Sequence, residues 1–345
     1  MADQNPFPSE DRQPSEKLSR RGFLRIVAVF GIAGWASEHA LENLEAARIV
    51  RQTRKMMGTV VNLTLIAPDL KSAAAAEDAI PACLDRMVEL EAVLSRFKAD
   101  SQVSILNRSG SLKDPHPALL DLIRQSRRIS ELSAGFFDIT ILPVFALYQE
   151  HRAQGGGLPP AAEIDAACRK VDYRKLAANE GGMVFAEPGM GITLDGIAKG
   201  YIVDEGVSRL GERGFTNVLV EAGGDLVAGG RQGSNHPWKI GIQSPRRGGE
   251  RLVTQFDAFN EAVATSGDNM QPFTPDYAQH HILNPQTGRS ATALASATVV
   301  APRLALADAL ATTLMLMEPA EGLDLVRGLG LQAVLVTKEM ALLRT

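Results

Sequence analysis

The sequence predicts an α+β fold in which mixed or antiparallel sheets are flanked by helices, and three observations lead to this prediction. In the first half, two long stretches carry apolar residues near a period of 3.6, which is typical of amphipathic helices. From residue 183 onward, short β-branched segments alternate with Gly-rich turns, which is typical of strands joined as hairpins. Strands and helices therefore come in uneven groups, and this favours an α+β fold over a doubly wound parallel sheet.

The elements are expected in the following order. The first strand, Met57–Ile66, alternates β-branched residues, and the helix after it spans about Ser72–Phe97. The next helix, about His116–Ser133, ends before Gly135, since a left-handed glycine commonly terminates a helix. Further strands are expected at 183–186, 191–194, 217–220, 238–243, 252–256, 262–265 and 298–300, with helices at about 199–210 and 303–317. A short helix is expected after the Gly/Pro-rich loop at 154–160, and a helix, a strand and a hairpin that ends at Leu343 are expected after residue 317.

Length and composition set broad bounds. The chain has 345 residues, of which 45% are hydrophobic and 22% are charged, and its net charge is −4. This composition is ordinary for a globular protein, and the length is ample for a large buried core. We predict one folded domain over residues 50–345. Nucleic acid is not expected as a partner, because nucleic-acid binding calls for a basic face or stripe.

The first forty residues differ from the rest. Residues 1–18 are polar and rich in Pro, Ser, Asp and Glu, which is typical of a disordered lead segment. Arg20 and Arg21 then precede an uncharged run, Ile26–Ala36, which is too short to span a bilayer but suits a signal peptide. Paired arginines at this place predict export by the twin-arginine route, and therefore a periplasmic protein. An uncleaved membrane anchor is the alternative.

Two cysteines, Cys83 and Cys168, fall in predicted helices far apart in the chain. They could pair in an oxidising compartment, but sequence spacing does not establish the geometry of a disulfide. Two buried free thiols are the favoured interpretation.

A carboxylate in the predicted last helix is the first candidate for chemistry. Asp308 is surrounded by Leu and Ala, so the helix is apolar all round and Asp308 is expected to be buried. Thr312 lies four residues later on the same helix face. Two hard oxygen ligands suit Mg²⁺. The alternative is an Asp bonded to a backbone amide, with Thr312 bonded back to the Asp308 carbonyl.

A second candidate is the turn before the helix at 199–210. The sequence Asp195-Gly196-Ile197-Ala198-Lys199-Gly200 ends a predicted strand and begins a helix, and it is followed by Asp204. Helix N-termini attract phosphate through their free N–H groups, and Lys199 could add a positive charge. A capped joint between strand and helix, with a solvated Lys199, explains the pattern equally well.

Three further segments are ambiguous singly. Gly223-Gly224 is fully explained by a hairpin turn. The strand that ends in Thr265-Ser266-Gly267 leads into a small-residue turn. His280 and His281 are adjacent, and neighbours in a strand point to opposite sides, so they do not suit one metal together. His281 as a proton carrier and a surface histidine are both compatible with the sequence.

In their order, these segments resemble the FAD:protein FMN transferase family, also called the ApbE family, over about residues 57–317. The matching pieces are Met57-Gly58-Thr59, Ser95 and Phe97 with Ser101 and Asn107, Gly135–Thr140, Gly196–Tyr201 with Asp204, Gly223–Asp225, Ser266-Gly267, His281–Gly288, and Asp308 with Thr312.

The resemblance implies a cleft that holds FAD and Mg²⁺. It also implies transfer of FMN from FAD to a Thr or Ser hydroxyl of a membrane or periplasmic electron-transfer protein, with release of AMP. The implied metal ligands are the backbone carbonyl of Gly196 and the side chains of Asp308 and Thr312. The implied catalytic residues are His281 for the proton, Lys199 for the phosphates and Asp308. The implied nucleotide-binding residues are Met57, Phe97, Asp138, Gly196, Lys199, Gly200, Thr265 and Ser266.

Three departures from the family pattern concern substrate handling. Thr193 and Asn284 stand where the family commonly has Asp, and residues 268–273 lack the Arg that often follows the Ser-Gly turn. The sequence that begins at Thr193, together with the paired arginines, is similar to that of the NosX-like branch, which is associated with nitrous oxide reduction. Alternative functions are an FAD pyrophosphatase that yields FMN and AMP, and a non-catalytic FAD-binding accessory protein of a periplasmic redox system.

Overall fold

The computed structural model of the chain describes residues 26–28, 48–233, 236–246 and 251–345. Helices and antiparallel sheets are mixed in it, so the α+β prediction is confirmed. The paired arginines Arg20 and Arg21, and all of the predicted signal segment except Ile26–Ala28, lie outside the described residues.

The described part contains fourteen strands and eight α-helices. The strands are β1 (Ile26–Ala28), β2 (Arg48–Met56), β3 (Thr59–Ala67), β4 (Ser111–Lys113), β5 (Leu176–Asn179), β6 (Gly182–Phe185), β7 (Val218–Ala222), β8 (Asp225–Gly229), β9 (Trp238–Gln243), β10 (Leu252–Ala258), β11 (Glu261–Gly267), β12 (Leu294–Ala301), β13 (Gln332–Thr337) and β14 (Leu342–Arg344). The helices are α1 (Leu70–Leu94), α2 (Gln102–Ser109), α3 (Pro117–Leu132), α4 (Leu142–Ala153), α5 (Ala161–Cys168), α6 (Ala198–Glu212), α7 (Leu304–Leu314) and α8 (Pro319–Gly328).

An eight-stranded antiparallel sheet organises the fold. Its strand order is β14-β13-β12-β11-β8-β7-β3-β2, so β2 and β14 are its edges. Two three-stranded sheets, β1-β9-β10 and β4-β6-β5, accompany it. Consecutive strands mostly pair as hairpins, which is the antiparallel arrangement expected from the short segments and Gly-rich turns.

The two faces of the large sheet are covered by different layers. Leu63, Val220 and Ala264 belong to the main core cluster, which also includes buried residues of α1, α6 and α7. Leu226 and Val263 point to the other face and pack in a second cluster with Trp238, Ile240 and Ala258 of β9 and β10. Side chains alternate between the faces along each strand, and this alternation decides which polar residues meet the helices.

The first predicted strand is shifted in the structure. Met57 and Gly58 form the two-residue turn between β2 and β3, with φ of 52° and 68°. Two residues with positive φ make a type I′ turn, which matches the twist of paired strands. Met57 is not one of the usual turn residues, Asn and Asp. The sequence pattern therefore predicted neither the turn nor β2.

The predicted strand at 191–194 is wrong. Asn107 supplies the hydrogen bonds that a neighbouring strand would give, because its side chain bonds both the N–H (2.8 Å) and the C=O (2.9 Å) of Ile192. The N–H of Thr193 donates to the carbonyl of Ile139 at 2.8 Å. The segment therefore joins none of the sheets in the described part of the chain.

The predicted helices are confirmed with small shifts at their ends, whereas α2 and α4 were missed. Helix α2 has only eight residues, which is too short for a clear apolar period. Both cysteines are free, as favoured, with Cys83 buried and Cys168 half-buried. Burial raises the pKa of Cys83 to about 12. Among the described helices, none is long and apolar enough to cross a membrane.

Candidate functional site

The residues predicted to be functional gather mainly at one end of the large sheet. β3 begins there at Thr59, and Gly223 and Gly224 join β7 to β8. The two turns are close, because a Cβ on Gly223 would lie 2.5 Å from Oγ1 of Thr59. Asp225 begins β8 and accepts a hydrogen bond of 2.9 Å from the backbone N–H of Thr265 in β11.

Helix α7 brings a carboxylate to this end of the sheet. Asp308 is only 5% exposed, so its predicted burial is confirmed. Its Oδ2 accepts a hydrogen bond of 3.1 Å from the backbone N–H of Gly200, in the first turn of α6. The free N–H groups at the N-terminus of a helix favour a negative charge at this place.

Lys199 lies between two buried carboxylates. Its ammonium is paired with Asp225 and is 3.9 Å from Oδ2 of Asp308. Burial raises the pKa of Asp308, and the charge of Asp195 raises it further, while Lys199 and the N–H of Gly200 oppose the shift. When both carboxylates are ionised, one cation between them leaves an excess negative charge, and this charge favours a further cation.

Gly200 allows α6 and α7 to approach each other. A Cβ at this position would lie 2.5 Å from the carbonyl oxygen of Leu304 and 2.7 Å from the backbone nitrogen of Ala305. These are backbone atoms, so no side-chain rotation could make room. The absence of a side chain therefore brings the first turn of α6 within hydrogen-bonding distance of Asp308.

Asp204, in α6, contacts the first residues of α7. Its carboxylate accepts hydrogen bonds from the backbone N–H groups of Leu304 (2.9 Å) and Ala305 (3.0 Å), and from Arg303 at 3.2 Å. A helix leaves its first N–H groups without partners inside the helix, so Asp204 caps α7 through a tertiary contact. The cap fixes the start of the helix that carries Asp308.

We expect Asp204→Ala to lower the free energy of unfolding by about 2–4 kcal/mol, because it leaves two buried N–H groups without their acceptor. Urea denaturation followed by circular dichroism measures the change. Asp204→Asn is the control, since its amide oxygen still accepts one of these hydrogen bonds and it should lose less. Equal stability of the alanine variant and the unmodified chain would contradict the capping role.

Thr312 meets the turn before α6. Its Oγ1 is 3.1 Å from Oγ of Ser266, and a Cβ on Gly196 would lie 3.3 Å from the same atom. The hydrogen bond to the preceding turn of α7 that was the alternative for Thr312 is made by its neighbour Thr313, which donates to the carbonyl of Ala309 at 2.8 Å. The Thr312 hydroxyl therefore faces Gly196, as a shared ligand site requires.

Thr265 and Ser266 point to opposite faces of the sheet. Ser266 faces α7 and contacts Thr312. The hydroxyl of Thr265 bonds Thr298 at 2.8 Å, and Val263, two residues earlier in β11, lies in the second core cluster on the other face. Only the backbone of Thr265 contributes here, so a nucleotide contact by its side chain stays a prediction.

The donor set at this place fits a magnesium ion. Asp308 offers a carboxylate, Thr312 a hydroxyl and Gly196 a backbone carbonyl, all of them hard oxygen donors. Within the described ranges, no three or more His, Cys, Asp or Glu side chains form a group that could hold a metal. A site with one carboxylate is nevertheless ordinary for Mg²⁺, which commonly takes its remaining ligands from water and substrate phosphates.

An aromatic residue lies near the same turn. Phe97 is 74% exposed, and the guanidinium of Arg96 stacks on its ring at 4.1 Å. Arg96 also bonds Oδ2 of Asp195, which directly precedes Gly196, at 2.7–2.8 Å. Arg96 thus links the exposed ring of Phe97 to the residue before Gly196, and an exposed ring is what stacking on a planar ligand requires.

Two other predicted cleft residues have structural contacts. The backbone N–H of Met57 donates to Glu91 at 3.1 Å, which ties the β2–β3 turn to α1. Asp138 is buried, and its two oxygens accept hydrogen bonds from Thr140 and from the backbone N–H of Tyr173. Burial raises the pKa of Asp138. Flavin contacts by Met57 and Asp138 stay predictions.

The two histidines differ in their surroundings. His280 is fully buried, its Nε2 is 3.0 Å from the carbonyl of Ala291, and burial lowers its pKa, which favours the neutral ring. His281 is partly exposed, and its backbone N–H donates to the carbonyl of Gln271 at 3.1 Å. The ring centroids are 6.4 Å apart. A proton-carrying role for His281 stays a prediction.

Sequence reasoning assigned no role to Asp225 or Arg96. Asp225 belongs to the Gly223-Gly224-Asp225 motif, but a hairpin turn explained that motif on its own. The position of Asp225 could have indicated a role, because a carboxylate directly after a Gly-Gly turn begins the next strand and therefore lies at the end of the sheet. Arg96 carried no local signal, because its partner Asp195 is 99 residues away in the chain.

Known proteins resemble this chain over most of its length. The ApbE family model matches residues 57–335. The FAD:protein FMN transferase of Escherichia coli K12 is 30% identical over 295 residues, covering 83% of each chain, and that of Haemophilus influenzae is 26% identical over 302 residues, covering 84% of this chain and 87% of its own. Among solved structures, the ApbE protein of Thermotoga maritima has a TM-score of 0.77 at 26% identity, covering 86% of this chain and 97% of its own. The Vibrio cholerae flavin transferase ApbE has 0.72 at 25%, covering 87% and 97%.

Proposed function

Because the chain belongs to the ApbE family, we propose that it is a flavinyltransferase that moves FMN from FAD to a protein. The observation that carries this proposal is the meeting of Asp308, Thr312, Gly196 and Lys199 at one end of the sheet. The relatives are named FAD:protein FMN transferases, so FAD is the substrate and a protein is the acceptor.

The arrangement suits the cleavage of a pyrophosphate bond. We propose that the N-terminus of α6 and Lys199 bind the FAD phosphates, because free N–H groups and an ammonium both attract anions. Asp225 holds the Lys199 ammonium next to Asp308, so its charge is placed before the substrate arrives. A cation fixed in advance stabilises charge that develops in the transition state.

We further propose that Asp308, Thr312 and the carbonyl of Gly196 hold Mg²⁺. The buried carboxylate and the excess negative charge around Lys199 support this assignment. When bound, Mg²⁺ would neutralise pyrophosphate charge. His281 is proposed to accept the proton of the attacking Thr or Ser hydroxyl, which forms the new bond to the FMN phosphorus while AMP leaves.

Phe97 is proposed to stack on a ring of FAD. Its exposed face and the Arg96 guanidinium behind it support the assignment, since Arg96 holds the ring in place. A periplasmic location, export by the twin-arginine route and an acceptor of the nitrous oxide reduction system are further proposals that rest on the sequence alone.

Transfer is tested by incubating the purified chain with FAD, MgCl₂ and a Thr-bearing acceptor domain. Mass spectrometry of the acceptor should show an added FMN, and chromatography should show an equal amount of AMP. Free FMN and AMP without an adduct would identify an FAD pyrophosphatase instead. FAD binding without any turnover would identify a binding protein.

The two hydroxyls of β11 should differ in this assay. We expect Ser266→Ala to lower the transfer rate about fivefold, because it removes the hydrogen bond of about 1 kcal/mol that orients Thr312. Thr265→Val should change the rate less than about twofold, because its hydroxyl lies on the other face. A larger effect of Thr265→Val would show that its side chain takes part in the site.

A further inference from the structure

Strand β2 is an edge of the large sheet. In the described part of the chain it pairs with β3 alone, over the nine residue pairs from Arg48–Ala67 to Met56–Thr59. The Met57-Gly58 turn sets the register, because the pair that flanks a two-residue turn exchanges both of its hydrogen bonds. Alternation then directs the backbone groups of Ile49, Arg51, Thr53 and Lys55 away from β3.

The charged side chains of this edge are all basic. Among its nine residues, β2 carries four basic side chains and no acidic one, although the whole chain has a net charge of −4. The four are Arg48, Arg51, Arg54 and Lys55; all are exposed, and Arg54 lies 3.9 Å from Asp85 of α1. Basic edges commonly prevent strand pairing between copies of one protein, because like charges repel. The same charge attracts an acidic strand.

A groove runs beside the edge. It has a volume of about 650 Å³ and lies between β2 and α1. Val50, Ile80 and Leu84 form its apolar part, while Glu77 and Asp85 stand on its helix side. An added strand would direct its apolar side chains into this groove and its alternate, acidic side chains to the opposite face, where Lys55 lies. Such alternation is how strand addition obtains specificity.

The edge leads to the candidate site. β2 ends at the Met57-Gly58 turn, and β3 begins beside Gly223, two residues before the Asp225 that pairs with Lys199. A strand laid along β2 would therefore run towards the FAD phosphates. Flavin transfer to a protein needs such a path, because an acceptor hydroxyl has to reach the phosphorus.

We propose that β2 docks an extended, acidic segment of the acceptor protein by strand addition, and that this segment carries the receiving hydroxyl into the cleft. The proposal rests on the proposed transferase function. A second copy of the chain is disfavoured, because two such edges would bring eight basic side chains together.

The kinetic test uses Thr53→Pro in the full chain, assayed with FAD, MgCl₂ and the acceptor domain. Proline removes the outward N–H of Thr53 and leaves the hydrogen bonds to β3 intact. We expect KM for the acceptor to rise about tenfold while KM for FAD is unchanged. The matched control is Thr53→Val, which loses the 2.9 Å hydrogen bond to Asn62 but keeps the N–H, and should retain the KM of the unmodified chain.

The charge test compares Lys55→Glu with Lys113→Glu, which reverses an exposed lysine on β4. Lys55→Glu should raise KM for the acceptor several-fold at low salt, and the difference should shrink at high salt. Equal KM values for Thr53→Pro, Lys55→Glu and their controls would overturn the docking proposal. Absence of any adduct with the unmodified chain would instead overturn the transferase function.

Hydrogen exchange tests the edge without turnover. The probe is a synthetic peptide of the length of β2 that alternates Glu and Val around one Thr. It should slow exchange of the amides of Ile49, Arg51, Thr53 and Lys55, whereas the same peptide with Lys for Glu should not. No protection by the Glu peptide would overturn the proposal. The proposal would also be overturned if these amides were already protected without peptide. Loss of that protection on deletion of residues 29–47 would show that the chain itself covers the edge, and loss on dilution would show that a second copy covers it.

Discussion

Asp308→Asn should lower kcat/KM for flavin transfer at least about 100-fold, equivalent to about 3 kcal/mol of transition-state stabilisation. The amide oxygen can still accept the hydrogen bond from Gly200, but it lacks the negative charge that Mg²⁺ requires. The dependence of the rate on MgCl₂ concentration measures the effect. Much higher MgCl₂ should be needed for half-maximal activity.

The stability of Asp308→Asn should not fall in parallel. Burial raises the pKa of Asp308 in the folded protein. A raised pKa means that the ionised carboxylate costs folding free energy at neutral pH, and the neutral amide removes this cost. The urea midpoint is therefore expected to stay or rise. Transfer by Asp308→Asn at the rate of the unmodified chain would contradict the metal assignment.

Gly200→Ala should destabilise the protein by about 3 kcal/mol and lower transfer about 100-fold. The new Cβ would lie 2.5 Å from the Leu304 carbonyl oxygen, so α6 and α7 have to move apart. That movement lengthens the hydrogen bond from residue 200 to Asp308 and shifts Lys199 away from both carboxylates. Urea denaturation and the transfer assay measure the two effects.

Gly211→Ala is the matched control for this substitution. Gly211 lies in the same helix, and a Cβ there would have no heavy atom within 4 Å. Alanine is a better helix former than glycine, so this variant should gain about 0.5–1 kcal/mol and keep full activity. If both variants lose the same stability, the close approach of α6 to α7 is not what selects glycine at position 200.

The two substitutions separate chemistry from architecture. Asp308→Asn should remove activity and keep the fold, whereas Gly200→Ala should damage both. The difference follows from the contacts, because Asp308 meets the first turn of α6 through a hydrogen bond that an amide oxygen can also accept, whereas Gly200 is the point at which two helix backbones touch.

Fold class, most of the helical positions, the burial of Asp308 and the family could be predicted from the amino-acid sequence. These follow from local patterns: periods of 3.6 and 2, glycine turns, and an Asp inside an apolar helix. Local patterns failed at 191–194, where the Asn107 side chain replaces a strand, and at Met57, where a turn has no typical turn residue.

The assembly of the site depends on tertiary contacts that local patterns do not predict. Lys199 pairs with Asp225, Asp204 caps α7, and Ser266 rather than Thr265 faces Thr312. Each of these contacts joins residues from different elements, so it depends on the strand order and on which sheet face the helices cover. Alternation along β11 predicts that Thr265 and Ser266 point apart, but only the packing of α7 shows which of them meets Thr312.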